Sequence, residues 1–177
     1  MTSTHVFRWL VTASLLVVAL VLQVTIVPPL VPDFFGQGVV PNFCLLVVVA
    51  CALVRGPEQA AVLGFVAGLL LDLVPPADHV AGRWALALVV VGYLAGRVRQ
   101  DAGSSAIGAV VTVAACSFVG TSLFALSGML LHDPAIPVGE ALKVIPVAVL
   151  YDVLVTPFVL PLVMRLFRRL QPHQVAF

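Results

Sequence analysis

Two carboxylates, Asp72 and Asp152, fall inside apolar stretches of this 177-residue chain and are its first candidates for chemistry. An acid kept from water inside a membrane is a functional candidate by default: it passes a proton, shares one, or fixes one helix to another. A shared proton needs the two carboxyl groups about 3 Å apart. Asp152 lies nine residues past Lys143, roughly 14 Å at 1.5 Å per helical residue, which is near mid-membrane. Asp72 lies nearer the end of its stretch, so the two acids differ in depth. Their flanks, Gly68-Leu69-Leu70-Leu71-Asp72 and Tyr151-Asp152-Val153, match neither the Gly-x-Gly-Asp pattern of intramembrane aspartyl proteases nor the motifs of lipoprotein signal peptidases. No Lys, Arg or His is expected at mid-depth to complete a proton relay. What remains is a hydrogen-bonded strut, because a bare charged Asp at the bilayer centre costs about 2.5–3.5 kcal/mol. Ser117, Thr121 and Ser122 are the expected partners of Asp152, and Gln23 that of Asp72. Cys44, Cys51 and Cys116 lack metal-ligand spacing and read as small buried residues. No catalytic, metal or cofactor residue is assigned.

The elements that position these groups are apolar runs. The chain is 62% hydrophobic and 10% charged, where soluble domains are nearer 45–50% and 25%. It reads as an all-α integral membrane protein, a compact bundle of six spans over 9–27, 39–54, 59–74, 84–98, 107–131 and 143–166, forming a single transmembrane domain over 1–177. The first run is too long for a secretory signal and lacks an Ala-x-Ala cleavage site, so it is a retained span. Runs two to four fall slightly short of the ~17–25 residues of a full span. A re-entrant pair, however, would sink Arg55 and Glu58 at mid-membrane, which is costly. Six spans sort the nine basic residues unevenly: Arg8, Arg55, Arg97, Arg99, Arg165, Arg168 and Arg169 on one side, Arg83 and Lys143 on the other. The positive-inside rule then puts both termini in the cytoplasm, with Asp33, Asp78, Asp133 and Glu140 outside. A net charge of +1 leaves no basic patch for nucleic acid. The loops are too short for a soluble domain, so function rests on the helices or on holding another protein.

Small residues mark where helices meet. Ala60, Gly64, Gly68 and Asp72 recur at i+4 along the third run, and Gly92 and Gly96 repeat the spacing in the fourth. Lipid tails are as apolar as Leu, so bulky side chains give helices no reason to associate, whereas small ones admit a neighbouring backbone. The Gly64/Gly68 edge is read as a packing stripe that docks on neighbouring helices and, in the scaffold hypothesis, as a groove for a partner's helix. Gly108, Thr112, Cys116 and Gly120 form a similar ladder in the fifth run. The sixth carries Pro146, Pro157 and Pro161 and is expected to kink or break around Thr156-Pro157, freeing carbonyls beside Tyr151 and Asp152. The closing Arg165-Leu166-Phe167-Arg168-Arg169-Leu170 is a basic amphipathic end suited to anionic lipid headgroups.

Pro41-Asn42-Phe43 opening the second run, Gly64-x-x-x-Gly68-Leu69-Leu70-Leu71-Asp72 in the third and Gly92-Tyr93-x-x-Gly96-Arg97 in the fourth together resemble the rod shape-determining MreD family. The closing Tyr151…Pro157…Pro161…Arg165 pattern is also similar. The resemblance spans nearly the whole chain. The family's second-span opening often reads Pro-Asp; Asn42 keeps the hydrogen-bonding shape and loses the charge. The resemblance implies a non-enzymatic scaffold subunit of the cell-wall elongation machinery (the elongasome of peptidoglycan synthesis) in the bacterial plasma membrane. It implies binding to the single-span protein MreC and, through it, to a RodA-type glycosyltransferase, a penicillin-binding transpeptidase and the MreB filament. It also implies a fold similar to the substrate-binding subunits of energy-coupling-factor transporters. The alternative function is such a small-molecule-binding transporter subunit. Against it, the first span opens Phe7-Arg8-Trp9-Leu10-Val11-Thr12-Ala13, with no small-xxx-small coupling motif, and few polar donors converge at mid-membrane.

Overall fold

The computed structural model describes residues 2–30, 39–75, 80–102, 105–131 and 138–171, and all structural statements refer to these. Asp33, Asp78 and Asp133 lie outside them, as does the Glu140 side chain. Seven α-helices follow in order: α1 (Thr2–Val21), α2 (Phe43–Arg55), α3 (Pro57–Leu73), α4 (Arg83–Arg97), the single turn α5 (Arg99–Ala102), α6 (Ala106–Leu130) and α7 (Val138–Arg169). A π-helical turn, Leu22–Ile26, prolongs α1. Six of these coincide with the six apolar runs to within a few residues. Three segments, Phe7–Ile26, Ala106–Leu130 and Leu142–Arg169, are long and apolar enough to cross a membrane.

Helix α2 is the axis. Every residue from Cys44 to Val54 is buried, and α1, α3, α4, α6 and α7 all pack on it. A helix apolar on all sides has no face to offer water, and its stable place is the interior. Its 13 residues span about 20 Å at 1.5 Å each, short of the ~30 Å hydrocarbon slab. Both of its ends are enclosed by the surrounding helices, with Asn42 7% and Val54 9% exposed. At Arg55 the chain turns into α3 through one residue. Gly56 has φ 101°, a conformation that disfavours any Cβ, and Pro57 opens α3 where its missing N–H costs nothing.

Helices α3 and α4 form an antiparallel hairpin closed by both glycine pairs. A Cβ added at Gly64 would overlap the Leu88 carbonyl, and one at Gly68 the Ala85 backbone and the Trp84 carbonyl. From the other side, a Cβ at Gly92 would sit 2.5 Å from the Ala60 carbonyl oxygen, and one at Gly96 would overlap Pro57. The register is regular: 64 meets 88, 68 meets 85, 92 meets 60, 96 meets 57. The Gly64/Gly68 edge thus packs on a neighbouring helix, as the small-residue stripe predicts, and is closed as a groove for a partner's helix. That edge is occupied by α4 of the same chain, because two adjacent short spans with matching small-residue ladders satisfy each other first.

The expected break at Thr156-Pro157 does not occur: α7 continues from Val138 to Arg169 through Pro146, Pro157 and Pro161. The Thr156 hydroxyl donates to the Asp152 carbonyl at 2.6 Å, a local bond that helps satisfy backbone acceptors next to a proline.

If the hairpin depends on backbone contact, Gly64→Ala and Gly92→Ala should each cost about 1–3 kcal/mol through overpacking. Gly120→Ala should cost less, because its added carbon meets only side-chain methyls of Val91 and Leu45, at 3.2 and 3.4 Å. Unfolding by titrated SDS in mixed micelles ranks the three, and equal costs would mean that the glycine contacts are not what holds α3 to α4.

Candidate functional site: a buried helix end closed by side chains

The first N–H groups of any helix lack partners within it, and in hydrocarbon no water replaces them. At the start of α2 several of these groups, and the N–H of the cap residue itself, find side-chain or backbone partners. Asn42, the N-cap, accepts from the Leu45 N–H through Oδ1 at 2.9 Å, and its carbonyl takes the Leu46 N–H at 3.1 Å. The Cys44 N–H donates to Gln23 Oε1 at 3.2 Å, and the Asn42 N–H donates to Asp152 Oδ1 at 2.6 Å. Asp152 Oδ2 in turn accepts from the Ser117 hydroxyl at 2.6 Å. Pro41, also buried, has no N–H to leave unpaired at the same point.

One carboxylate thus joins three helices: α2 through its cap, α6 through Ser117 and α7 through its own backbone. Asp152 and Ser117 are 2% and 0% exposed, so no solvent competes for these bonds. Gln23 reaches the site from the π-helical turn. That turn adds a residue to the helical circuit, and such insertions often sit at functional positions.

The expected pairing of Asp152 with Ser117 is present. Thr121 and Ser122 do not reach the acid; the Thr121 hydroxyl donates to the Ser117 carbonyl instead. Tyr151 is half-buried beside Asp152 on α7. The expected pairing of Gln23 with Asp72 is wrong. Gln23 serves α2, and Asp72 accepts from the backbone N–H groups of Gly82 (2.8 Å), Trp84 (3.1 Å) and Ala85 (3.1 Å). Asp72 is therefore the cap of α4, supplied from the last turn of α3, where a negative group also complements the helix dipole. Equal depth was a poor guide because it says nothing about which way around the helix each group points.

Arg83 was read as an outer loop residue and is instead 2% exposed. Its guanidinium lies over the Phe124 ring at 4.0 Å and donates to the Phe124 carbonyl at 2.8 Å. Gly128 clears the space, since a Cβ there would collide with it. Trp84 stacks on the same Phe124 ring, with centroids 4.5 Å apart. The available signal was an Arg-Trp pair at a helix start facing a small residue one turn from a Phe.

The far end of α2 is closed in the same manner. The Val54 carbonyl accepts from Gln171 Nε2 at 3.0 Å and Arg99 Nη1 at 3.5 Å, and the Arg55 guanidinium lies 4.6 Å from the centre of the buried Phe167 ring. Among the described residues no cluster of three or more His, Cys, Asp or Glu side chains is arranged to hold a metal, and all three cysteines are buried and unpaired.

The sequence profile of the family described as rod shape-determining protein MreD matches residues 3–170. The chain belongs to the MreD family. Searches of curated proteins and of solved structures find no match. An MreD protein has a role in rod-shape determination, as part of a machinery that includes MreC, and is not of a known enzyme family. The match takes in every residue of the Asp152 network. In this MreD chain Asn42 stands at the opening of the second span, and its amide fulfils the cap that the hydrogen-bonding shape requires.

Removing the acceptor at 152 tests the network. Asp152→Leu leaves the Asn42 N–H and the Ser117 hydroxyl unpaired and should destabilise the bundle by about 2 kcal/mol or more. Asp152→Asn, which keeps an acceptor, and Ser117→Ala, which removes one donor, should each cost about 1 kcal/mol. SDS unfolding of the purified variants gives the order. A stable Asp152→Leu would show that the α2 start does not depend on the acid. Asp72→Ala should lose about 0.5–2 kcal/mol, the usual cost of a lost cap.

Proposed function

We propose that this chain is a non-enzymatic scaffold of the cell-wall elongation machinery. In this reading α1, α2, α3, α4, α6 and α7 span the bacterial plasma membrane as a single domain of the kind seen in the substrate-binding subunits of energy-coupling-factor transporters. Both termini are in the cytoplasm. The bundle holds the transmembrane helix of MreC and, through it, a RodA-type glycosyltransferase, a penicillin-binding transpeptidase and the MreB filament.

The observation that carries this reading is how the buried polar groups are used. Gln23, Asn42, Asp72, Ser117 and Asp152 all hold helix ends or join helices, so these acids serve as internal fasteners rather than as a reactive pair. What faces outward is apolar. With the Gly64/Gly68 edge closed by α4, the receptive surface for a partner's helix is the groove between α4 and α6. It has a volume of about 410 Å³ and is lined by Leu94, Val98, Gly108, Val111, Ala115 and Val119, among others. Its small residues let a helix approach closely, which is where association in lipid gains its contact energy.

Ala115 is exposed in this groove, so Ala115→Trp fills it without disturbing the core. Co-purification of MreC from detergent-solubilised membranes should fall about tenfold, equivalent to about 1.4 kcal/mol. The change Phe118→Ala, on an exposed part of the same helix outside the groove lining, should leave MreC recovery unchanged. Undiminished MreC recovery with Ala115→Trp, at normal membrane levels of the variant, would remove the groove from the proposal.

A further inference from the structure

The geometry points to a binding site for a phosphate-bearing anion at the Arg55 end of the bundle. A pocket of about 510 Å³ opens there between the α2–α3 link and the α4–α5 link, lined by Arg55, Pro57, Glu58, Arg97, Arg99 and Gln100, among others. Among the described residues, three guanidinium groups and one carboxylate line it, a formal charge of +2. Two further observations say that these cations are only partly satisfied from within, Arg55 by the Phe167 ring and Arg99 by the Val54 carbonyl. Nε and Nη2 of Arg55 are buried without a hydrogen-bond partner, and so is Nε of Arg8. Arg8 and Arg55 also lie close enough for their like charges to repel. Buried guanidinium N–H groups left unpaired are costly, the more so beside a second cation.

The remaining walls suit the same ligand. The pocket includes Glu58 and Gln59 in the first turn of the 17-residue helix α3, whose free N–H groups and dipole favour an anion. Arg97 is exposed and Arg99 half-buried, so their forks are available for bidentate contact with phosphate oxygens. The pocket lies where α2 and α4 end, at the level expected of headgroups. Phosphate there has two sources: the headgroup of an anionic phospholipid, or a soluble phosphate ion.

The test uses the full chain in detergent and native mass spectrometry with added phosphatidylglycerol or phosphatidylcholine, alongside thermal unfolding in millimolar inorganic phosphate. Retention of phosphatidylglycerol over phosphatidylcholine, lowered about tenfold or more in Arg97→Gln/Arg99→Gln, supports a lipid headgroup. Phosphate-dependent stabilisation lost in the same variant, without lipid preference, supports a soluble anion. Glu58→Gln removes the one repelling charge and should raise retention or stabilisation, an effect that misfolding would not mimic. Lys143→Gln, an exposed cation on α7 away from this pocket, should change neither. Equal retention of the two lipids with no phosphate effect, or binding indifferent to Arg97, Arg99 and Glu58, would overturn the proposal. MreC recovery is unaffected by either result, so this site and the α4–α6 groove stand or fall separately.

Discussion

A peptide N–H cannot be left bare away from water, and α2 begins where other helices bury it. That constraint explains why the polar residues of this otherwise greasy chain occur where they do. A 13-residue helix buried on every side has no water at its flanks, so each exposed end group has to be met by a side chain from another helix. Gln23, Asn42 and Asp152 meet the donors at one end, and Arg99 and Gln171 meet a carbonyl at the other. The same residues that look like reactive groups in the sequence are the fittings that let a short helix sit at the centre of longer ones.

The α3–α4 hairpin follows the second rule of the bilayer, that association needs close contact rather than greasiness. Four positions on two short helices give up their side chains, and backbone meets backbone. Asp72 then caps the second helix from the last turn of the first, so the hairpin fixes its own register at both ends. One consequence concerns partners. A small-residue stripe is only a docking surface while it is empty, and an adjacent span of matching spacing reaches it at a far higher effective concentration than another protein does.

Much of this was legible in the sequence, for physical reasons that also mark the limits. Apolar runs locate helices well because hydrophobic length is a one-dimensional property, and the six long helices lie where the runs do. Depth counting paired Asp152 with Ser117 because both sit near the middle of long helices that must face each other. It failed for Gln23 and Asp72, where the partners are backbone N–H groups of a helix start, invisible to a search for side-chain partners. The glycine ladders mark close helix contact, and the matching spacing of Gly92 and Gly96 supplies the mate within the chain, which leaves no open edge for a partner. Charge counting sorts Arg83 to one side of the bundle and says nothing of its burial; a ring to lie on and a glycine to lie beside bring it inside.

The charge layout completes the argument. The contacts of Arg55 with Phe167 and of Arg99 and Gln171 with Val54, and the like charge of Arg8 near Arg55, bring four separate chain segments to one end of the bundle, with three of the seven basic residues that the sequence sorts to one side. Caps consume the acids, and glycines consume the narrow faces. Among the described residues Glu58 is the one carboxylate lining the arginine pocket, and Arg55 keeps two nitrogens without a hydrogen-bond partner beside its contact with Phe167. A protein whose interior polar groups are committed to its own fold has its outer apolar grooves and this cationic rim left for recognition. That division fits a part built to hold and orient others: the interior resists change, and the surface carries the information about what sits against it.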